Sequence, residues 1–121
     1  NKSLVIFLGF VLGLIVDIYN NSGGVHAAAT SLIAYLRPSY LKYSFGVSYE
    51  YNTIVIAQAE LKQQLLYLVL MILTHHLCLF LLEHFSFNHI LFTLETTLIT
   101  ALLSGIIIYS AIILLSPYKK R

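Results

Sequence analysis

Residues 9–38 read GFVLGLIVDIYNNSGGVHAAATSLIAYLRP. An apolar run carrying a lone acid, Asp17, breaks at Asn20, Asn21, Ser22, Gly23 and Gly24, then resumes as an alanine-rich run closed by Arg37 and Pro38. The pattern predicts a helical hairpin with its turn in the middle. Asn and Gly tolerate positive φ, Ser22 is placed to cap the following helix, and Pro38 lacks the N–H with which to continue one. Gly9, Gly13, Ala27, Ala28, Ala29 and Ala34 are small enough for the two helices to approach closely, as helices packed inside a membrane must.

Outside this stretch the chain is equally apolar. Of its 121 residues 59% are hydrophobic and 10% charged, and the mean hydropathy is +0.84; a soluble domain has about 45–50% and about 25%. The composition reads as an integral membrane protein. A chain of this length holds about four spans of ~20 residues and no soluble domain besides. The expected fold is therefore all-α, a polytopic transmembrane helical bundle with about four spans, forming one domain over residues 1–121. The start at Asn1 without a methionine, with Lys2 leading at once into an apolar run, reads as an N-terminal truncation. A signal peptide is the competing reading of residues 2–16, but no small-x-small cleavage site follows where one belongs.

The predicted spans are residues 3–19, 22–36, 61–85 and 90–115. The first is ~25 Å long as a helix, slightly short of a ~30 Å hydrocarbon core. Tyr35, Tyr40 and Tyr43 with Arg37 and Lys42 form an expected interfacial anchor beyond the second. Residues 44–60 read as a surface connection, residues 86–89 as a tight turn, and Pro117 as the stop before the basic tail Lys119, Lys120 and Arg121. With four crossings, all seven basic residues of the chain fall on one side, which the positive-inside rule makes cytoplasmic. The net charge of +2 follows from that topology and does not call for nucleic acid.

The hairpin carries a resemblance. Gly13 followed by Asp17 near the end of an apolar segment, the polar and glycine turn, Gly24-Val25-His26-Ala27-Ala28-Ala29 and Tyr35-Leu36-Arg37-Pro38 are together similar to the bacterial rod shape-determining protein MreD family. Residues 74–83, THHLCLFLLE, resemble a later span of some members. The resemblance implies a non-catalytic inner-membrane scaffold of the cell-wall elongation machinery. Its partners would be MreC, directly or through it the transpeptidase and glycosyltransferase, and indirectly the MreB filaments. Members usually carry one or two apolar segments before this hairpin, in keeping with a truncated start.

His75, His76, Cys78, Glu83, His84 and His89 invite a metal, haem or proton-relay reading, because such groups are rare inside apolar helices. Helical spacing weakens it. His75 and Cys78 are three apart and share a face, whereas His76 meets Phe80 four residues on and Glu83 only ~10 Å away. The plainer reading is hydrogen bonding across helices, with Tyr67 and Phe80 in packing or lipid contact. Thr93, Thr96, Thr97, Thr100 and Ser104 fall within about 100° of one another, either as a packing or partner face or as hydroxyls bonded back to their own helix. Cys78 is the only cysteine and permits no intrachain disulfide. No hydrolase, P-loop, zincin or dinucleotide motif is present, and the Gly23-Gly24 pair reads as structural. No catalytic residue, metal or cofactor is expected.

Asp17 needs a reason to sit in an apolar helix near the negative end of its dipole. The next helix offers free N–H groups and the positive end of its own dipole, and His26 offers another donor. Asp17 is therefore expected to lock the hairpin, unless it snorkels to the interface. The functional alternative from another class is a small-solute transporter, or its substrate-binding membrane subunit, with Asp17, His26, Glu83 and Glu95 around a polar cavity.

Overall fold

The computed structural model describes residues 1–46, 56–84 and 90–115. The expected turn at 86–89, most of the 44–60 connection, and Pro117 with the basic tail lie outside the described residues. The described residues form four α-helices and one short 3-10 turn: α1 (Lys2–Asn20), α2 (Val25–Phe45), the 3-10 turn (Ile56–Gln58), α3 (Leu61–His84) and α4 (Ile90–Leu115). Each helix packs chiefly against its neighbour in sequence, α1 on α2, α2 on α3 and α3 on α4. α1, α3 and α4 are long and apolar enough to cross a membrane. α2, at 21 residues, is ~31 Å long. It is not one of those three, because Arg37, Lys42 and four serine and threonine residues dilute its apolar surface.

α2 departs from the sequence expectation at both ends. It begins at Val25, not Ser22, and it runs through Pro38 to Phe45. An interior proline removes one backbone hydrogen bond and costs ~3 kcal/mol. The residues beyond it supply the compensation: Leu41 and Phe45 are buried with Tyr67 of α3, and Tyr40, Ile56, Ala59 and Met71 pack around them. Fully burying side chains of the Leu and Phe kind gives ~1.5–3 kcal/mol each, enough to carry the helix past Pro38. It ends at Gly46, whose φ of 63° lies in the left-handed region and whose N–H donates to Lys42 O at 2.8 Å. Ser44 and Phe45, expected in the surface connection, are therefore helical and buried.

The α1–α2 contact is close because glycine makes it so. A Cβ on Gly13 would stand 2.5 Å from both Ala27 Cα and His26 O and would also strike Thr30 Oγ1. On Gly9 it would stand 3.2 Å from Ala34 Cβ and Thr30 O. Ala27, Ala29 and Ala34 are buried, whereas Ala28 is exposed and takes no part in the close approach. Across the second contact Leu68 and Ile72 of α3 meet Ala101 of α4.

Candidate functional site

The turn between α1 and α2 is built around Asp17. Its carbonyl accepts the N–H groups of Asn21 and, at 3.1 Å, of Ser22, closing α1 in the manner of a Schellman motif with Asn21 left-handed at φ 53°. Gly24, at φ 99°, then directs the chain back into α2. It offers no side-chain cap. The first N–H groups of α2 are served from the other helix.

Asp17 Oδ1 accepts from His26 N at 3.0 Å and Oδ2 from Ala27 N at 2.8 Å. Oδ1 also accepts from Ser22 Oγ at 2.6 Å and lies 3.0 Å from His26 Nδ1. Ser22, expected to cap α2 itself, instead hydrogen-bonds the residue that does. The carboxylate is 5% exposed and turned into the hairpin, where the four donors and the positive end of the α2 dipole balance its charge.

Ser22 Oγ is also 3.0 Å from His26 Nδ1, which makes Nδ1 a donor. A carboxylate only accepts, and the Ser22 hydroxyl already donates to it, so Nδ1 carries a proton. Serine, histidine and aspartate therefore meet without forming a nucleophile relay. Such a relay needs serine and aspartate on opposite ring nitrogens, and here both face Nδ1.

Below this cluster Thr30 Oγ1 lies 2.8 Å from Gly9 O, 2.7 Å from His26 O and 3.2 Å from Ala27 O. One hydroxyl thus joins the two helices where Gly9 and Gly13 bring them together. Gly13, Asp17, Gly24 and His26 stand at the turn end of the hairpin. Tyr35, Arg37 and Pro38 stand at its open end, where Lys2 Nζ lies 4.5 Å over the Tyr35 ring and Arg37 and Pro38 line a small pocket with Asn1 and Lys2.

The residues of α3 and α4 divide. His76 bridges the pair, with Nδ1 3.0 Å from Ile72 O and Nε2 3.3 Å from Ser104 Oγ. Its ring also lies near Phe80, 6.2 Å between centroids. His75 packs edge-on to His76 at 5.4 Å. Glu83 and Glu95 are exposed and do not join the Asp17 cluster. Among the described residues no three His, Cys, Asp or Glu side chains converge to hold a metal.

Thr93, Thr97 and Ala101 are the buried residues of α4, whose substantial contact is with α3, so the centre of the stripe faces inward. Thr96, Thr97 and Thr100 donate to the carbonyls of Phe92, Thr93 and Thr96 at 2.7–2.9 Å. Both readings of the stripe thus hold for Thr97, which packs between helices while bonded to its own. A further cross-helix pair, Tyr40 OH to Thr74 Oγ1 at 2.8 Å, was hidden in the sequence because Pro38 seemed to end α2 before Tyr40. No family model, curated protein or solved structure matches the chain.

Proposed function

We propose that the protein is a non-catalytic integral membrane scaffold of the bacterial cell-wall elongation machinery, maintaining rod shape through helix packing with MreC and its associated transpeptidase and glycosyltransferase. The residues that resemble the MreD family, Gly13, Asp17, Gly24 and His26, are those that shape the hairpin. The observation that carries the reading is Asp17: both carboxylate oxygens are taken by donors from the hairpin itself. A group so occupied serves shape and leaves no acceptor for a substrate.

The apolar faces of α1 and α4 stay exposed along most of their length, available to lipid and to partner helices. On this reading α2 is the fourth crossing, the protein lies in the inner membrane, and the basic residues put both ends of the chain in the cytoplasm. It needs no cofactor, and its contact with MreB is indirect.

Affinity purification from detergent-solubilised membranes of a rod-shaped bacterium, followed by mass spectrometry, tests the reading. MreC and the elongation synthases should copurify with the wild type and be depleted with Asp17→Leu at equal expression. Their absence from the wild-type sample, together with saturable binding of a small solute, would replace the scaffold by the transporter.

A further inference from the structure

α3 and α4 run antiparallel, with Ile72 against Gly105 and His84 against Phe92. A Cβ added at Gly105 would find nothing nearer than Ile72 Cδ1 at 3.8 Å. The same atom at Gly13 would strike the backbone of α2, so Gly13 permits a close approach whereas Gly105 leaves a space. That space is an open groove of about 390 Å³, lined by Leu65, Val69 and Ile72 of α3, by Ala101, Gly105 and Tyr109 of α4, and by further aliphatic side chains. Tyr109 alone in the lining carries a polar side-chain atom.

The dimensions of the groove select its occupant. From Leu98 to Tyr109, both in the lining, it runs ~16 Å along α4, about half of a ~30 Å hydrocarbon core. A volume of about 390 Å³ over that length is a channel ~5 Å wide. A helix with its side chains is ~10–12 Å across and does not enter it. A single file of methylenes does, because its carbons meet their neighbours at ~3.5–4.0 Å. Left unfilled inside hydrocarbon, the groove would forfeit the dispersion contacts of the atoms along its walls.

One end of the groove is charged. Lys62, Leu65, Val69 and Ile72 recur at the three- and four-residue spacing that puts them on one face of α3, so Lys62 stands one turn beyond the lining. The antiparallel pairing brings the Tyr109 end of α4 to the same end of the groove. Lys62 is exposed and makes no salt bridge among the described residues, the neighbouring Glu60 included. A lysine in the first turn of a spanning helix lays its stem along the apolar surface and carries its ammonium at the level of the lipid headgroups.

We propose that the α3–α4 groove holds one acyl chain of an anionic phospholipid, drawn from the leaflet on the side of Lys62, with the headgroup phosphate against the Lys62 ammonium. The apolar walls take the chain, and the lysine selects a headgroup of net negative charge over a zwitterionic one. The inference requires only that α3 and α4 cross a bilayer. It goes beyond the scaffold reading and stands or falls apart from it, since copurification of MreC does not measure bound lipid.

Native mass spectrometry of the purified protein in detergent, with dioleoyl phosphatidylglycerol and dioleoyl phosphatidylcholine added at equal concentration, tests the proposal. The wild type should retain one phospholipid, with phosphatidylglycerol preferred about fivefold, the factor that one lysine near an anionic surface contributes. Lys62→Gln should keep a bound lipid and lose the preference. Gly105→Leu, whose side chain enters the groove without meeting backbone, should retain neither lipid. Ile107→Phe adds bulk to an exposed position of α4 outside the lining and should bind as the wild type does. Circular dichroism and gel filtration check folding, and Lys62→Gln, a surface change, decides the matter if Gly105→Leu is misfolded. A wild type that retains no phospholipid overturns the proposal, as does a lipid-free dimer, which would give the groove to a second copy. Equal retention of the two lipids by the wild type, an unchanged preference in Lys62→Gln, wild-type retention by a folded Gly105→Leu, or an equal loss in Ile107→Phe overturns it too.

Discussion

Asp17 is the only charged side chain buried among the described residues, and it closes one helix with its carbonyl while opening the next with its carboxylate. This double use makes the hairpin depend on the residue in a graded way. Asp17→Asn keeps an oxygen for the His26 N–H but turns an amide NH2 toward the Ala27 N–H, donor against donor, and loses the charge facing the α2 dipole. Asp17→Leu offers no acceptor at all and leaves the N–H groups of His26 and Ala27 and the Ser22 hydroxyl unpaired. The expected order of protease sensitivity at the turn in membranes is Leu above Asn above wild type. A leucine variant cleaved no faster than wild type would remove the locking role. Much of this was legible from the sequence, since an acid at the end of an apolar helix has few places to put its charge, and the helix beginning after the turn is the nearest. The part taken by Ser22 was not, because a serine before a helix serves equally as cap or as donor to a neighbouring acid.

At the scale of the helices, Gly13 and Gly9 set how near α1 lies to α2, and the two are unequal. A Cβ at Gly13 meets backbone atoms of Ala27 and His26 that cannot turn aside, whereas one at Gly9 meets its neighbours at 3.2 Å, a gap that a shift of a few tenths of an ångström relieves. Overpacking of the first kind costs ~1–3 kcal/mol, and parting the helices also stretches the bonds from Asp17 to the start of α2. Thermal unfolding in detergent should therefore show Gly13→Ala clearly destabilised and Gly9→Ala little changed. Equal midpoints for the two variants would mean that the helices are not held at this separation. α2 carries a second lesson: a proline read as a stop lies inside the helix, since the residues after it bury Leu41 and Phe45 against Tyr67 and tertiary packing outweighs the lost hydrogen bond.

The whole molecule is a succession of helices, each held chiefly by the next in the chain, with the outer faces of α1 and α4 left apolar and exposed. α3 and α4 enclose between them an open apolar groove of about 390 Å³ that includes Leu68, Ile72, Ala101 and Gly105 in its lining. Such an arrangement suits a lipid surround, and the orientation proposed above rests on the basic residues. A periplasmic reporter fused after Ser22 should be active and one fused after Gly46 inactive. Activity after Gly46 with silence after Ser22 would invert the topology and with it the side from which the α1–α2 turn is reached.

The sequence by itself determined the all-helical class of the molecule, the approximate bounds of α1, α3 and α4, and the hairpin turn. These follow from hydropathy, from residues that tolerate positive φ, and from the reach of a helix of given length, all of which are local. Tertiary structure alone decided where α2 ends, that Ser22 serves Asp17, that the Thr93 and Thr97 face turns inward, and that His76 reaches Ser104 while Glu83 and Glu95 reach nothing in the Asp17 cluster. Each of these depends on which residue of another helix stands opposite. In helices this apolar the sequence carries little periodic signal for which face is covered, so a neighbour's side chains must be in place before a hydroxyl or an imidazole has a partner.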